Sequence, residues 1–147
     1  MWRVLNIVAV TVFALGAVAT AQERPVTFYV QLIRGTDSEQ PPEAGSKLIG
    51  TKLAGTLRCL KWRHYWEIHR REVEVDPGQL TRVALRNGRE AEIDLRSRTR
   101  RTVAAFKDGK LLDRTSVPTG DAMTLIGGDR DRKTGWFIVV RRDRPGN

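Results

Sequence analysis

The sequence predicts an α+β domain that is mostly β, an antiparallel meander forming a sandwich or partly open barrel with one packed helix. Three observations predict it. Apolar residues alternate with polar ones at period two through most of residues 26–140. Asp76-Pro77-Gly78, Asn87-Gly88, Asp108-Gly109 and Pro118-Thr119-Gly120 punctuate the chain at strand-like intervals. Only one stretch, Ile49 to Leu60, spaces its apolar residues as a helix does.

The chain opens on Met1-Trp2-Arg3, an apolar run from Val4 to Val18, and the small residues Ala19-Thr20-Ala21. A positive start, a hydrophobic middle and a small-residue end make a secretory signal peptide over residues 1–21, with cleavage after Ala21. The run of about 15 residues is short against the roughly 20 that a spanning helix needs. Removal of the leader would leave no transmembrane segment and a soluble chain, periplasmic or secreted. Residues 22–142 read as a single β-rich domain and 143–147 as a frayed polar tail.

Val26, Phe28, Val30 and Leu32 alternate with Thr27, Tyr29 and Gln31, as in a half-buried strand, and Gly35 to Gly45 reads as loop. Ser46 offers a helix cap, and Ile49, Leu53, Leu57 and Leu60 share one face of a helix ending near Lys61. Gly50 and Gly55 each cost such a helix roughly 1 kcal/mol, so it must rely on packing against a sheet. From Tyr65 the strand pattern returns. Trp66 and Ile68 have one parity, Val73 and Val75 the other, which predicts a bulge or break near Arg70.

Thr81, Val83 and Leu85 lead to Asn87-Gly88, both of which accept positive φ in a two-residue hairpin. Beyond it Ala91, Ile93 and Leu95 face the core and Glu90, Glu92 and Asp94 face water. Val103 to Phe106 and Leu111-Leu112 flank Asp108-Gly109 in a second hairpin. Ala122–Ile126 and Trp136–Val140 form a third, across a long Gly127–Gly135 connection. Trp136-Phe137-Ile138-Val139-Val140 is apolar at both parities, so this strand must be covered on both faces, with Ile138 and Val140 in the core.

Composition restricts function. Lys and Arg total 26 against 17 Asp and Glu, a formal net charge of +9. The excess favours acidic partners, such as an envelope protein or an acidic glycan; an exported protein rarely meets nucleic acid. The lone Cys59 cannot form an internal disulfide and reads as a small buried apolar group. With His64 it could make a thiol–imidazole pair, but no third partner is apparent. No Gly-x-Ser-x-Gly turn and no His-Glu-x-x-His motif occurs. Catalytic residues, metal and cofactor are therefore not expected. Asp129 and Asp131 alternate as calcium ligands do, yet Arg130, Arg132 and Lys133 among them repel a hard cation. Gly127-Gly128 precedes a strand, not the helix of a phosphate-cradling loop.

Two basic groups stand out as contact candidates. Lys61, Trp62 and Arg63, with Tyr65 and Trp66 close behind, mix cations with aromatics that could stack on sugar rings or lid the core. Arg96, Arg98, Arg100 and Arg101 are the densest positive cluster; it could grip carboxylate or phosphate, or pair with Glu90, Glu92 and Asp94 of its own sheet.

Tyr65-Trp66-Glu67, the Gly78 turn, the arginine-bearing middle strands, Gly127-Gly128-Asp129-Arg130 and Trp136–Val140 together resemble a group of small, uncharacterised exported bacterial β-rich proteins, over residues 26–142. The resemblance implies an envelope location and a single β domain, with no activity attached. The reading that emerges is a non-enzymatic binding or adaptor module contacting a protein partner through basic loops or a strand edge. The alternative is an acidic glycan or lipid headgroup held by Arg96, Arg98 and Arg100 with Trp62 and Trp66.

Overall fold

A computed structural model describes residues 21–146. The signal-peptide expectation for residues 1–21 lies, but for Ala21, outside them. Nine strands and one helix follow in order: β1 (Val26–Thr36), β2 (Lys47–Leu48), α1 (Thr51–Leu57), β3 (His64–Val75), β4 (Leu80–Ala84), β5 (Arg89–Asp94), β6 (Arg100–Lys107), β7 (Lys110–Pro118), β8 (Met123–Arg130) and β9 (Thr134–Arg141). They make two antiparallel sheets that do not close into a barrel. Sheet A has the order β2-β3-β1-β9-β8, and sheet B is the meander β4-β5-β6-β7. Among the described residues no helix is long and apolar enough to cross a membrane.

The sandwich core is filled from both inner faces. Phe28, Val30 and Leu32 of β1 and Ile138 and Val140 of β9 meet Val83, Ala91, Ile93, Val103 and Ala105 of sheet B. Alternation produces this directly, since residues two apart on a strand share a face. A second apolar layer forms on the outer face of sheet A, where Leu53 and Leu57 of α1 pack on Ile33, Tyr65 and Val139. β9 thus buries Ile138 on one side and Val139 on the other, as its double apolar parity requires.

Three segments differ from the sequence reading (the helix, the Gly127–Gly135 connection and the tail), and the irregularity expected near Arg70 takes the form of a bulge. The helix is shorter than Ser46–Lys61: Lys47 and Leu48 instead pair with Glu67 and Trp66 of β3, and Ile49 N donates to Tyr65 O. Gly50 is then the N-cap, and Ser46 Oγ caps nothing. The parity flip in β3 is a bulge within one continuous strand, where Leu32 pairs with His69 and Ile33 with Glu67, leaving Ile68 over. That extra residue turns Val73 and Val75 to the same core as Trp66 and Ile68.

Most of the Gly127–Gly135 connection is strand. β8 continues through a bulge at Gly128 and Asp129, and only Asp131-Arg132-Lys133 form the tip. There Asp131 Oδ1 accepts from the amides of Lys133 and Thr134 at 2.7 and 2.8 Å, holding this carboxyl below the usual range. The tail is seated rather than frayed through Gly146: Asp143 is bound by Arg141 and Lys52, and Pro145 is buried. The Asn87-Gly88 and Asp108-Gly109 turns match expectation, with φ positive at all four residues.

A candidate binding cleft at the open seam

Trp62 has no strand of its own, so its position depends on what it lies against. Gly35 of β1 pairs directly with Gly135 of β9. A Cβ on either glycine would overlap the indole ring, at Cδ1 and Nε1 respectively. The two bare backbones are a flat seat, and Trp62 rests on it with its amide donating to Tyr65 Oη at 3.3 Å. Lys61 Nζ stands 4.7 Å from the ring centroid. The strand glycines are needed because a large ring must approach the backbone there.

Beside this seat lies a cleft of about 700 Å³. Trp62, Trp136 and Phe137 line it, with Gly127 and Gly128 of β8 on one side and Leu112 and Asp113 of β7 on the other. β7 and β8 are terminal strands of their respective sheets, so the cleft occupies the unclosed seam of the sandwich. Lys61, Arg130 and Arg132 border it and make no ion pair among the described residues. Its two carboxylates are already engaged with backbone amides, Asp131 at the hairpin tip and Asp113 with the Arg114 amide at 2.8 Å. Three cations, Lys61, Arg130 and Arg132, against the two carboxylates leave the lining with a net positive charge.

Under the cleft a stack of cations and an aromatic ring braces the seam. Arg89 of β5 is buried, lies 3.6 Å from the Trp136 ring centroid, and grips both oxygens of Asp129 at 2.7–3.1 Å. Arg34 approaches the same ring at 5.1 Å. Gly128 sits against Trp136, where a Cβ would come within 3.2 Å of the Trp136 carbonyl. The β8 bulge and the glycine together bring Asp129 to Arg89. Sequence reasoning missed Arg34, Arg89 and this use of Asp129: Arg89 and Asp129 are 40 residues apart and in different sheets, and Arg34 meets Trp136 only through the long-range pairing of β1 with β9.

The two basic groups read from the sequence lie at different places. Lys61 and Trp62 are at the cleft; the Arg63 side chain is exposed and its amide donates to Asp37 Oδ1. The arginine cluster is at the opposite end, since Arg101 contacts Thr124 at the start of β8 and the cleft lies toward Arg130. Six residues of strand make that separation about 20 Å.

Nor do the four arginines form one patch. Arg96 forks onto Asp94 at 2.7 and 3.0 Å, which holds that carboxyl below its usual range. Arg100 bonds Ser116 through its hydroxyl and carbonyl at 3.0 and 2.6 Å. Arg101 is 1% exposed and points inward. Arg98 is exposed, and its carbonyl accepts from Thr119 Oγ1. Glu90 and Glu92 are taken by Arg82, which also lies 4.1 Å over Phe106.

Trp66 is enclosed in the sandwich core and cannot stack on a ligand. Cys59 is exposed, contrary to the buried thiol expected, and bonds only the Thr56 carbonyl at 3.6 Å. The reason is its place just past α1, off the Leu53–Leu57 face. Asp129 is committed to Arg89, and no group of three or more His, Cys, Asp or Glu side chains converges as a metal site among the described residues.

No family model matches the chain, and no curated protein or solved structure is significantly similar to it.

Proposed function

We propose that the protein is an exported, non-enzymatic binding module of the bacterial cell envelope that holds an extended acidic segment of a partner protein along the seam between β7 and β8. One observation carries the reading: a cleft of about 700 Å³ lies between two terminal strands and is bordered by cations unpaired among the described residues. A terminal strand offers free amides and carbonyls to a strand from elsewhere, and neighbouring pockets then select its side chains. β7 suits this role, being exposed along most of its length, including Leu111 and Leu112. Arg130, Arg132 and Lys61 would select acidic residues over basic ones. Export rests on the Met1–Ala21 pattern of the sequence.

The test is a photo-crosslinking residue at position 112, in cells, against the same residue at position 80 on the opposite edge of sheet B. A discrete adduct at position 112, lost in an Arg130→Ala/Arg132→Ala variant and missing from position 80, is the expected result. Equal adducts from both edges, or none from position 112, would remove the proposal. An acidic glycan in the same cleft is the second reading, favoured by the Lys61 ammonium poised over the Trp62 ring. Loss of binding to one defined acidic polysaccharide in Trp62→Leu, with no protein adduct at position 112, would select it.

A further inference from the structure

The outer face of sheet A changes character along its strands. Under α1 it is apolar, with Ile33, Tyr65 and Val139. Farther along, the same strands present Gln31, Glu67, Arg70 and Arg141, with Gln31 directly opposite Arg70. This polar half is only partly open to water. The Lys47–Gly50 segment and the Asp143–Gly146 tail border it, and a cleft of about 460 Å³ remains between them and the sheet. That size falls at the small end of the range typical of small-molecule sites. Gln31 is only 2% exposed, although its alternation with Val30 and Leu32 reads from sequence as a water-facing position.

Nearly every polar group in this cleft has a partner. Glu67 accepts from Gln31 Nε2 and, through both oxygens, from Arg70 Nε at 3.1 Å. Asp143 accepts from Arg141 and from Lys52. Two features are left over. Gln31 Oε1 is buried and receives no donor among the described residues. Among the described residues, the Nη1 and Nη2 groups of Arg70 reach only the carbonyls of Pro145 and Gly146, each at 3.5 Å, the outer limit of a hydrogen bond. The amide orientation is fixed by its partner, because only Nε2 can donate to the Glu67 carboxylate and a flipped amide would set oxygen against oxygen. Both carboxylates are engaged, while Lys47 and Arg144 add positive charge at the rim.

We propose that this cleft binds a small carboxylate that also carries a hydroxyl group, with the carboxylate on the Nη edge of Arg70 and the hydroxyl donating to Gln31 Oε1. A simple anion would leave the buried amide oxygen unpaired. A neutral sugar would leave the guanidinium edge unused. Only a ligand with both groups completes the two open positions. The site is separate from the seam cleft, which lies at the other end of α1 beside Leu60 and Trp62.

D-glucuronate is the probe, with acetate and glucose as its two halves, titrated into the purified protein by calorimetry and by amide-resolved NMR. Glucuronate should bind at least tenfold more tightly than either half and shift the Gln31 side-chain amide resonances. Arg70→Met should weaken it at least tenfold. Arg70→Lys, which keeps the charge but loses the fork, should fall between and serves if Arg70→Met does not fold. Glucuronate binding no tighter than acetate, unaffected by either Arg70 variant, or shifting Trp62 and Trp136 instead of Gln31 would overturn the proposal. So would the absence of binding to the folded wild-type protein.

Discussion

β8 is fastened to the opposite sheet at both of its ends, each time by an arginine of sheet B. At the closed end, Arg101 of β6 gives Nε and Nη2 to Thr124 Oγ1 at 3.1 and 2.9 Å, and Nη2 to Asp121 O at 3.0 Å. Its guanidinium lies 5.4 Å from the Phe28 ring centroid and, among the described residues, bonds no carboxylate. Burial, joined by the charge of Arg142 and opposed by that of Asp121, pushes its pKa below the ordinary arginine value. At the open end, Arg89 of β5 meets a carboxylate and an indole instead. The Asp129 side chain there is 38% exposed, so half of that pair keeps its hydration. The closed end thus carries a desolvated cation with neutral acceptors, whereas the open end holds a paired cation whose partner reaches water. Of the two arginines, only Arg89 lies beside the seam cleft, next to the cations Arg130 and Arg132 that border it.

Removing the ring at the open end should have the largest effect. Trp136 is buried, contacts Gly128, and lies within cation–π range of Arg34 and Arg89. Trp136→Ala should cost about 3–5 kcal/mol in a denaturant titration, through the cavity and the lost stacking. A loss below roughly 1 kcal/mol would mean that the brace is incidental to the seam. Next comes Arg89→Met, expected to cost about 1.5–3 kcal/mol, the range of hydrogen bonds to charged groups. Because Asp129 is partly exposed, the wild-type advantage should shrink as salt is raised; a salt-independent difference would place the energy in packing alone.

Third is the seat of Trp62. Gly135→Ala forces the indole off the strand and should cost about 1–3 kcal/mol, with a red shift of tryptophan emission. Gly120→Ala, near the closed end, meets nothing within 4 Å and should change stability by less than about 0.5 kcal/mol. Equal effects at the two glycines would erase the distinction between a built seat and an ordinary turn.

What could be read from the chain beforehand follows the same division. Alternation and turn dipeptides are local signals, so the strands, the two short hairpins and the double burial of β9 were legible from Val26, Asn87-Gly88, Asp108-Gly109 and Trp136–Val140. The order of sheet A was not, because β1 pairs with strands that start 38 and 108 residues after it begins, at His64 and Thr134, and no local pattern encodes that pairing. Gly135 looked like loop because a glycine's need for close approach shows only once Trp62 is known to rest on it. The arginine cluster looked continuous because sequence proximity hides direction. Arg100 and Arg101 are adjacent on a strand and therefore point to opposite faces, one to Ser116 outside and one to Thr124 inside. Gln31 is buried on the face expected to meet water, in a cleft it lines with tail residues more than a hundred positions away.

The smallest effect separates the two arginines most sharply. Arg101→Met removes a desolvated cation but strands the Thr124 hydroxyl, which is itself buried, so the single change should cost about 1–3 kcal/mol. Adding Thr124→Val removes the orphan as well. The Asp121 carbonyl belongs to an exposed residue and can turn to water. With both partners apolar, the double variant should return to within about 1 kcal/mol of wild type, since a buried charge and its acceptor can often be exchanged for packed side chains without loss. The open end should behave otherwise: Arg89→Met/Asp129→Asn should stay as destabilised as Arg89→Met, because Asp129 had water available from the start and Trp136 has lost its stacked cation in both. The two cycles are read from the same denaturant midpoints. If Arg101→Met/Thr124→Val stayed as unstable as Arg101→Met alone, the buried guanidinium would be a net source of stability, and the two ends of β8 would be fastened by the same physics after all.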